Sequence, residues 1–168
     1  PPTARDYGLT IGEDVDMRRD PKLATEAATR YLKWAYARLK SWPLVATSYN
    51  KGLTGTQNVL KYQQADNFWD LYLNAETARY FYRILAFKVI LENPDRYGFF
   101  IHPDQQNRPH RFKIVKVERD TDLVAFAKAN NTTYKELRYL NPWFNNTTDY
   151  RLRVPANFSY EVRVPERE

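Results

Sequence analysis

Apolar residues recur at three- and four-residue steps through the first hundred positions, and the pattern changes to short alternating runs after that. Leu23, Ala24, Ala27, Ala28, Tyr31, Leu32, Ala35 and Leu39 form one buried face of an amphipathic helix that reaches about Lys40. Asp20-Pro21 sets its start, with Asp as N-cap and Pro at the first helical position. Ser41-Trp42-Pro43 restarts a shorter helix from Leu44 to about Tyr49, which Asn50-Lys51-Gly52 ends. A short helix around Thr56 to Tyr62 follows. Asn74 then caps a long helix through Tyr80, Ile84, Phe87 and Leu91, stopped by Asn93-Pro94. The first segment therefore predicts an all-α unit.

Beyond Tyr97-Gly98, residues 102 to 111 are polar and contain two Pro, which reads as a linker. Phe112 to Val117 is a strand by alternation and β-branching. Thr121 to Ala129 and Thr133 to Leu140 predict two short helices, each opened by Thr or Asp. Tyr150 to Pro155 predicts a second strand, and Tyr160 to Pro165 a third short strand or a paired hairpin arm. This order, β-α-α-β, describes a small α+β module with a thin core. The expected organisation is thus 1–100, a linker at 101–111, and a module at 112–168.

Composition narrows the function. The chain has 168 residues, 43% hydrophobic and 27% charged, which is a globular rather than a disordered composition. Aromatics reach 15%, enough to fill a core and also to line a groove for sugars or bases. With no Cys there is no disulfide, thiolate metal site or cysteine nucleophile. No apolar run is long enough to cross a bilayer. The net charge of +6 is spread, with 14 Lys/Arg against 11 Asp/Glu before residue 101 and 12 against 9 after it. That spread favours weak attraction to a polyanionic surface, such as a cell-wall polymer, over a dedicated nucleic-acid stripe.

Few residues signal chemistry directly. His102 and His110 sit in the polar linker without further ligands nearby, so they read as solvated loop residues and no metal site is expected. The run Glu13-Asp14-Val15-Asp16 lacks the spacing of a calcium loop and reads as a solvated turn. No Gly-rich phosphate loop and no Gly-x-Ser-x-Gly elbow is present. The segment Ser48-Tyr49-Asn50-Lys51-Gly52 places a phenol and a carboxamide at a helix end, beside a Gly that turns the backbone away. Two readings stay open there: a helix C-cap with a packed Tyr, or donors for sugar hydroxyls and N-acetyl groups in a groove.

Several stretches carry a family resemblance. Pro2-Thr3-Ala4-Arg5-Asp6-Tyr7-Gly8-Leu9, Asp16-Met17-Arg18-Arg19-Asp20-Pro21, Ser48-Tyr49-Asn50-Lys51-Gly52 and Glu76-Thr77-Ala78-Arg79-Tyr80 follow one another in the order of four family motifs, and Arg96-Tyr97-Gly98 closes the segment. Together they resemble the second half of the catalytic domain of lytic transglycosylases of the membrane-bound murein transglycosylase D type. Asp120 to Asn130 and Tyr134 to Pro142 are similar to a divergent LysM domain, a βααβ unit that binds N-acetylglucosamine-containing glycans. The usual Gly-Asp-Thr-Leu opening is replaced by Arg119-Asp120-Thr121-Asp122-Leu123, which leaves open a glycan binder and a spacer packed on the catalytic domain.

The resemblance implies a mainly α fold, a lysozyme-like helical domain incomplete at its N-terminus, with a small α+β LysM-like module. It implies cleavage of the MurNAc-β-1,4-GlcNAc bond of peptidoglycan with formation of 1,6-anhydro-MurNAc, without metal or organic cofactor. Tyr49, Asn50 and Tyr80 are the implied substrate-binding residues, with Glu76 and Gly52 in support. The catalytic Glu of that family precedes the motif at which this chain starts, so no catalytic residue is expected in the chain and the general acid is expected upstream. The chain alone is then expected to be inactive. Its expected partners are peptidoglycan glycan strands and the missing N-terminal half of the same domain, not nucleic acid. The expected location is the periplasm or the periplasmic face of a bacterial outer membrane, with membrane attachment only through residues outside the chain. The alternative is a non-catalytic peptidoglycan-binding or scaffold protein of the envelope.

Overall fold

The computed structural model describes residues 2–166. In order, the elements are α1 (Pro2–Asp6), α2 (Pro21–Leu39), α3 (Trp42–Lys51), α4 (Leu53–Gln63), α5 (Ala75–Glu92), β1 (Phe112–Val117), β2 (Thr121–Asp122), α6 (Leu123–Ala129), α7 (Tyr134–Leu140), β3 (Arg151–Leu152) and β4 (Tyr160–Pro165). Short 3-10 turns stand at Met17–Arg19, Pro94–Tyr97 and Pro103–Gln105. The fold is mainly α with a small α+β region at the C-terminal end.

Local chemistry sets most boundaries. The Asp20 carboxylate accepts from the Lys22 and Leu23 amides, capping α2 at the Asp-Pro step. Asn74 caps α5 through Thr77 N at 2.9 Å. Thr133 and Glu136 exchange side-chain and backbone bonds across the first turn of α7, a complete capping box.

The chain forms two compact units, one joining the residues up to Ala28 with those from Arg108 onward, the other spanning Thr29–Asn107. In the second unit α3 packs against both α4 and α5, burying Leu44, Val45, Ala46, Thr47 and Ser48. Helix α5 leaves much apolar surface open: Ile84, Phe87 and Leu91 are 44%, 68% and 75% exposed, although they continue its apolar pattern.

In the first unit β1 pairs antiparallel with β4, from Phe112 opposite Pro165 to Val117 opposite Tyr160. β2 pairs with β3. The core joins Val117, Leu123, Ala127, Leu137, Trp143, Phe144, Leu152, Tyr160, Val162 and Val164. Val15 belongs to the same core.

The predicted strand at 150 to 155 shrinks to Arg151–Leu152. Tyr150 has φ +54°, and the amides of Arg153 and Val154 donate to the carboxylates of Asp14 and Asp120 instead of to a strand. Tyr160–Pro165 is therefore the partner of β1.

The acidic run at 13–16 is likewise no solvated turn. The Asp16 amide donates to Trp143 O at 2.8 Å, and the Asn145 amide to Asp14 O at 2.8 Å. Asp14 accepts from Asn146 Nδ2 at 2.8 Å and pairs with Arg153 at 2.7 Å.

Two carboxyls in this unit lie below the usual carboxylate range. Asp16 is held there chiefly by the side-chain hydrogen bond from Arg18. Asp149 is held there first by the Arg151 amide and then by Asn146 and Arg153. A depressed carboxyl contributes stability that is present above its unfolded pKa and lost as pH falls through the folded value. The urea midpoint of this unit is expected to hold from pH 7 down to about 4 and to fall below that. A midpoint that stayed level down to pH 2 would remove both carboxylates from the stabilising network.

Candidate functional site

Helix α3 ends where Gly52 takes φ +87° and its amide closes on Ser48 O at 2.8 Å. That positive φ is one a Cβ-bearing residue rarely adopts, so Gly52 turns the chain at once into α4. The turn leaves Tyr49 and Asn50 on the last exposed turn of α3, facing the start of α5.

Asn50 joins the two helices. Its Oδ1 accepts from Thr77 Oγ at 2.8 Å, and its Nδ2 donates to Glu76 Oε1 at 3.3 Å. Thr77 is 2% exposed. The carboxamide is thus held by two partners, and its second N–H and second Oδ1 lone pair remain for other bonds.

The Tyr49 and Tyr80 rings lie almost parallel, 6.3 Å between centroids with planes 13° apart. Tyr31 meets Tyr49 edge-on at 5.5 Å, and its hydroxyl donates to Ser48 O at 2.9 Å. Tyr49 is 46% exposed, so part of its phenol stays open to solvent. Burial, and then the neighbouring Tyr49, push the Tyr80 phenol above its ordinary value. Tyr80 therefore stays protonated, a hydrogen-bond donor, throughout the neutral range.

All five predicted residues, Tyr49, Asn50, Gly52, Glu76 and Tyr80, come together in the second compact unit. The two open readings of the helix end combine: Gly52 is the C-cap, and Tyr49 still presents a phenol to solvent. Sequence reading missed Tyr31 and Thr77. Tyr31 falls in the apolar stripe of α2, whose spacing places it on the core face, whereas Thr77 lies inside the Glu76-Thr77-Ala78-Arg79-Tyr80 stretch and carries no separate signal.

This arrangement can stack on an apolar sugar face and hydrogen-bond hydroxyl or acetamido groups. Asn50→Ala is expected to lower the unfolding free energy by about 1–2 kcal/mol, since it strands the buried Thr77 hydroxyl. Urea denaturation of the chain measures this, and a loss below about 0.3 kcal/mol would show that the α3–α5 link is idle.

Comparison with known families bears on the class of protein. Residues 1–72 match the family described as "Transglycosylase SLT domain", and residues 113–168 match "Soluble lytic transglycosylase C-terminal LysM-like domain". The chain is thus similar to a transglycosylase SLT domain over its first 72 residues and to a LysM-like domain over residues 113–168.

Among particular relatives, it is similar to the "Membrane-bound lytic murein transglycosylase D" of Escherichia coli K12, at 28% identity over 143 residues. The similarity covers 80% of this chain and 32% of that protein. The protein of the same name from Escherichia coli O6:H1 matches with the same figures. The chain thus spans about a third of the length of the curated relatives it matches. Among the described residues no helix is long and apolar enough to cross a membrane.

Proposed function

We propose that this chain forms the sugar-orienting part of an envelope lytic transglycosylase that cleaves the MurNAc-β-1,4-GlcNAc bond of peptidoglycan. The observation that carries this reading is the Tyr49–Tyr80 pair on α3 and α5, helices that Asn50 joins through Thr77 and Glu76; Tyr49 and Asn50 lie inside residues 1–72, the segment similar to a transglycosylase SLT domain. In the reaction a general acid protonates the glycosidic oxygen as the C1–O4 bond breaks. The muramyl 6-hydroxyl closes on C1, giving the 1,6-anhydro ring and returning a proton to the same carboxylate. The substrate supplies the nucleophile, so one carboxyl suffices where most glycosidases use two.

That carboxyl needs a raised pKa. Asp16 and Asp149 are shifted the opposite way, and Glu76 is exposed and turned to Asn50. As the family resemblance implies, the acid is a Glu upstream of the Pro2–Leu9 motif, and the exposed Ile84, Phe87 and Leu91 face of α5 packs against the remainder of that domain. On this reading the protein works in the periplasm or at the periplasmic face of the outer membrane, needs no cofactor, and has glycan strands as its substrate.

Mass spectrometry of soluble products from purified sacculi tests this. The complete protein is expected to release 1,6-anhydro muropeptides, and residues 1–168 alone none. Release by this chain would place the acid within it, with Glu76 the first to replace. No release by the complete protein would favour a non-catalytic peptidoglycan binder. In the complete protein, Tyr49→Phe and Tyr80→Phe should each slow release about 3- to 10-fold, the worth of one hydrogen bond, with little loss of stability. Unchanged rates would return both rings to a purely structural role.

A further inference from the structure

The first compact unit holds an open cavity of about 890 Å³ built around α7. That volume falls within the roughly 300–1,000 Å³ of small-molecule sites. Arg19, Arg111, Lys135 and Arg138 line it, and among the described residues one carboxylate, Glu136, does so too. It shares no residue with the tyrosine cluster.

Glu136 is already engaged. Its Oε2 accepts from Thr132 Oγ at 2.7 Å and from the Thr133 amide at 3.2 Å, closing the capping box of α7. Arg19 and Arg138 differ from three other arginines of this unit. Arg18, Arg153 and Arg163 each pair with a carboxylate, whereas Arg19 donates to the neutral Asn145 Oδ1 at 3.1 Å and Arg138 to the Tyr134 hydroxyl at 3.4 Å. Among the described residues no carboxylate pairs with Lys135. Several like charges around one concavity repel each other and focus a positive potential into it. Tyr139, 69% exposed and met edge-on by His110 at 5.1 Å, gives this basic surface a flat apolar wall.

We infer that this cavity binds an acidic peptide, with its carboxylates on Lys135, Arg138 and Arg19 and its apolar part on Tyr139. This rests on the reading of peptidoglycan as substrate, whose short peptides carry free carboxylates; it deepens that reading by assigning the C-terminal module to the peptide rather than the sugar. Glycan hydroxyls are neutral and do not answer such a charge set, whereas guanidinium groups match carboxylates in geometry as well as charge.

Calorimetric titration of the full chain tests this with four probes: a muramoyl peptide with free carboxylates, the same peptide amidated, chitotetraose, and inorganic polyphosphate. The free-acid peptide is expected to bind, more weakly as salt rises. Lys135→Glu and Arg138→Gln should each weaken it about tenfold. Lys135 is exposed on α7, so Lys135→Glu keeps the fold, which an unchanged unfolding midpoint verifies. Equal binding of the amidated peptide, preference for chitotetraose, tighter binding of polyphosphate than of peptide, or unaltered affinity in both variants would overturn the inference. Release of anhydro products by the complete protein without peptide binding by this chain sinks the inference alone. Peptide binding without any such release leaves it standing and sinks the catalytic reading.

Discussion

Arg163→Met is expected to destabilise the first compact unit by about 3–5 kcal/mol, the usual cost of removing one partner from a buried ion pair. The Arg163 guanidinium donates to both oxygens of Asp20, at 2.6 and 3.2 Å, and to Leu140 O at 3.2 Å. Asp20 has no exposed surface and the Arg163 side chain only 18%. Without the guanidinium the carboxylate keeps two backbone amides and no counter-charge. Asp20→Asn preserves an acceptor for the α2 cap while removing the charge. The double variant Asp20→Asn with Arg163→Met should therefore recover part of the loss, and a double-mutant cycle reads the coupling. Of four Trp in the chain, only Trp143 belongs to this unit, so its indole resonance during urea denaturation reports the right transition. A loss under about 1 kcal/mol in Arg163→Met would mean that solvent already reaches the pair.

What the sequence made legible follows from how local each signal is. Asp20-Pro21, Asn74 and the Thr133–Glu136 box act on amides two or three residues away, and α2, α5 and α7 begin where those residues predict. Phe112–Val117 alternates within six residues, and β1 has those bounds. The acidic run at 13–16 could not be placed the same way. Its partners Asn146 and Arg153 lie more than 130 positions on. A polar stretch beside a Gly reads as solvated until those residues are brought to it. The candidate site shows the same contrast. The Tyr49-Asn50-Lys51-Gly52 turn is local and was visible, whereas the Tyr31 hydroxyl reaches a carbonyl on the next helix. Helical spacing alone made Tyr31 a core residue. In α5 the apolar period is real, but periodicity states which residues share a face, not whether anything covers it, and Phe87 and Leu91 stand open.

Val15→Asp should be as damaging as the loss of Arg163, and it asks a different question. Val15 lies in the segment similar to a transglycosylase SLT domain, yet it is 3% exposed in the core of the LysM-like module. Its backbone bridges Phe144, which has no exposed surface and packs on Trp143 with ring centroids 4.4 Å apart. A carboxylate there meets an aliphatic and aromatic wall. Its desolvation, added to the lost packing, should cost about 3–5 kcal/mol. Val15→Ala, which only opens a small space, should cost less, roughly 1–2 kcal/mol. The Trp143 resonance is expected to lose dispersion in Val15→Asp, while the three indoles of the other unit, Trp34, Trp42 and Trp69, keep theirs. An unshifted Trp143 in Val15→Asp would mean that residues 113–168 hold their core without the preceding segment. A shifted one makes that segment part of the module's fold, and couples any strain on the module to the chain that leads into α2.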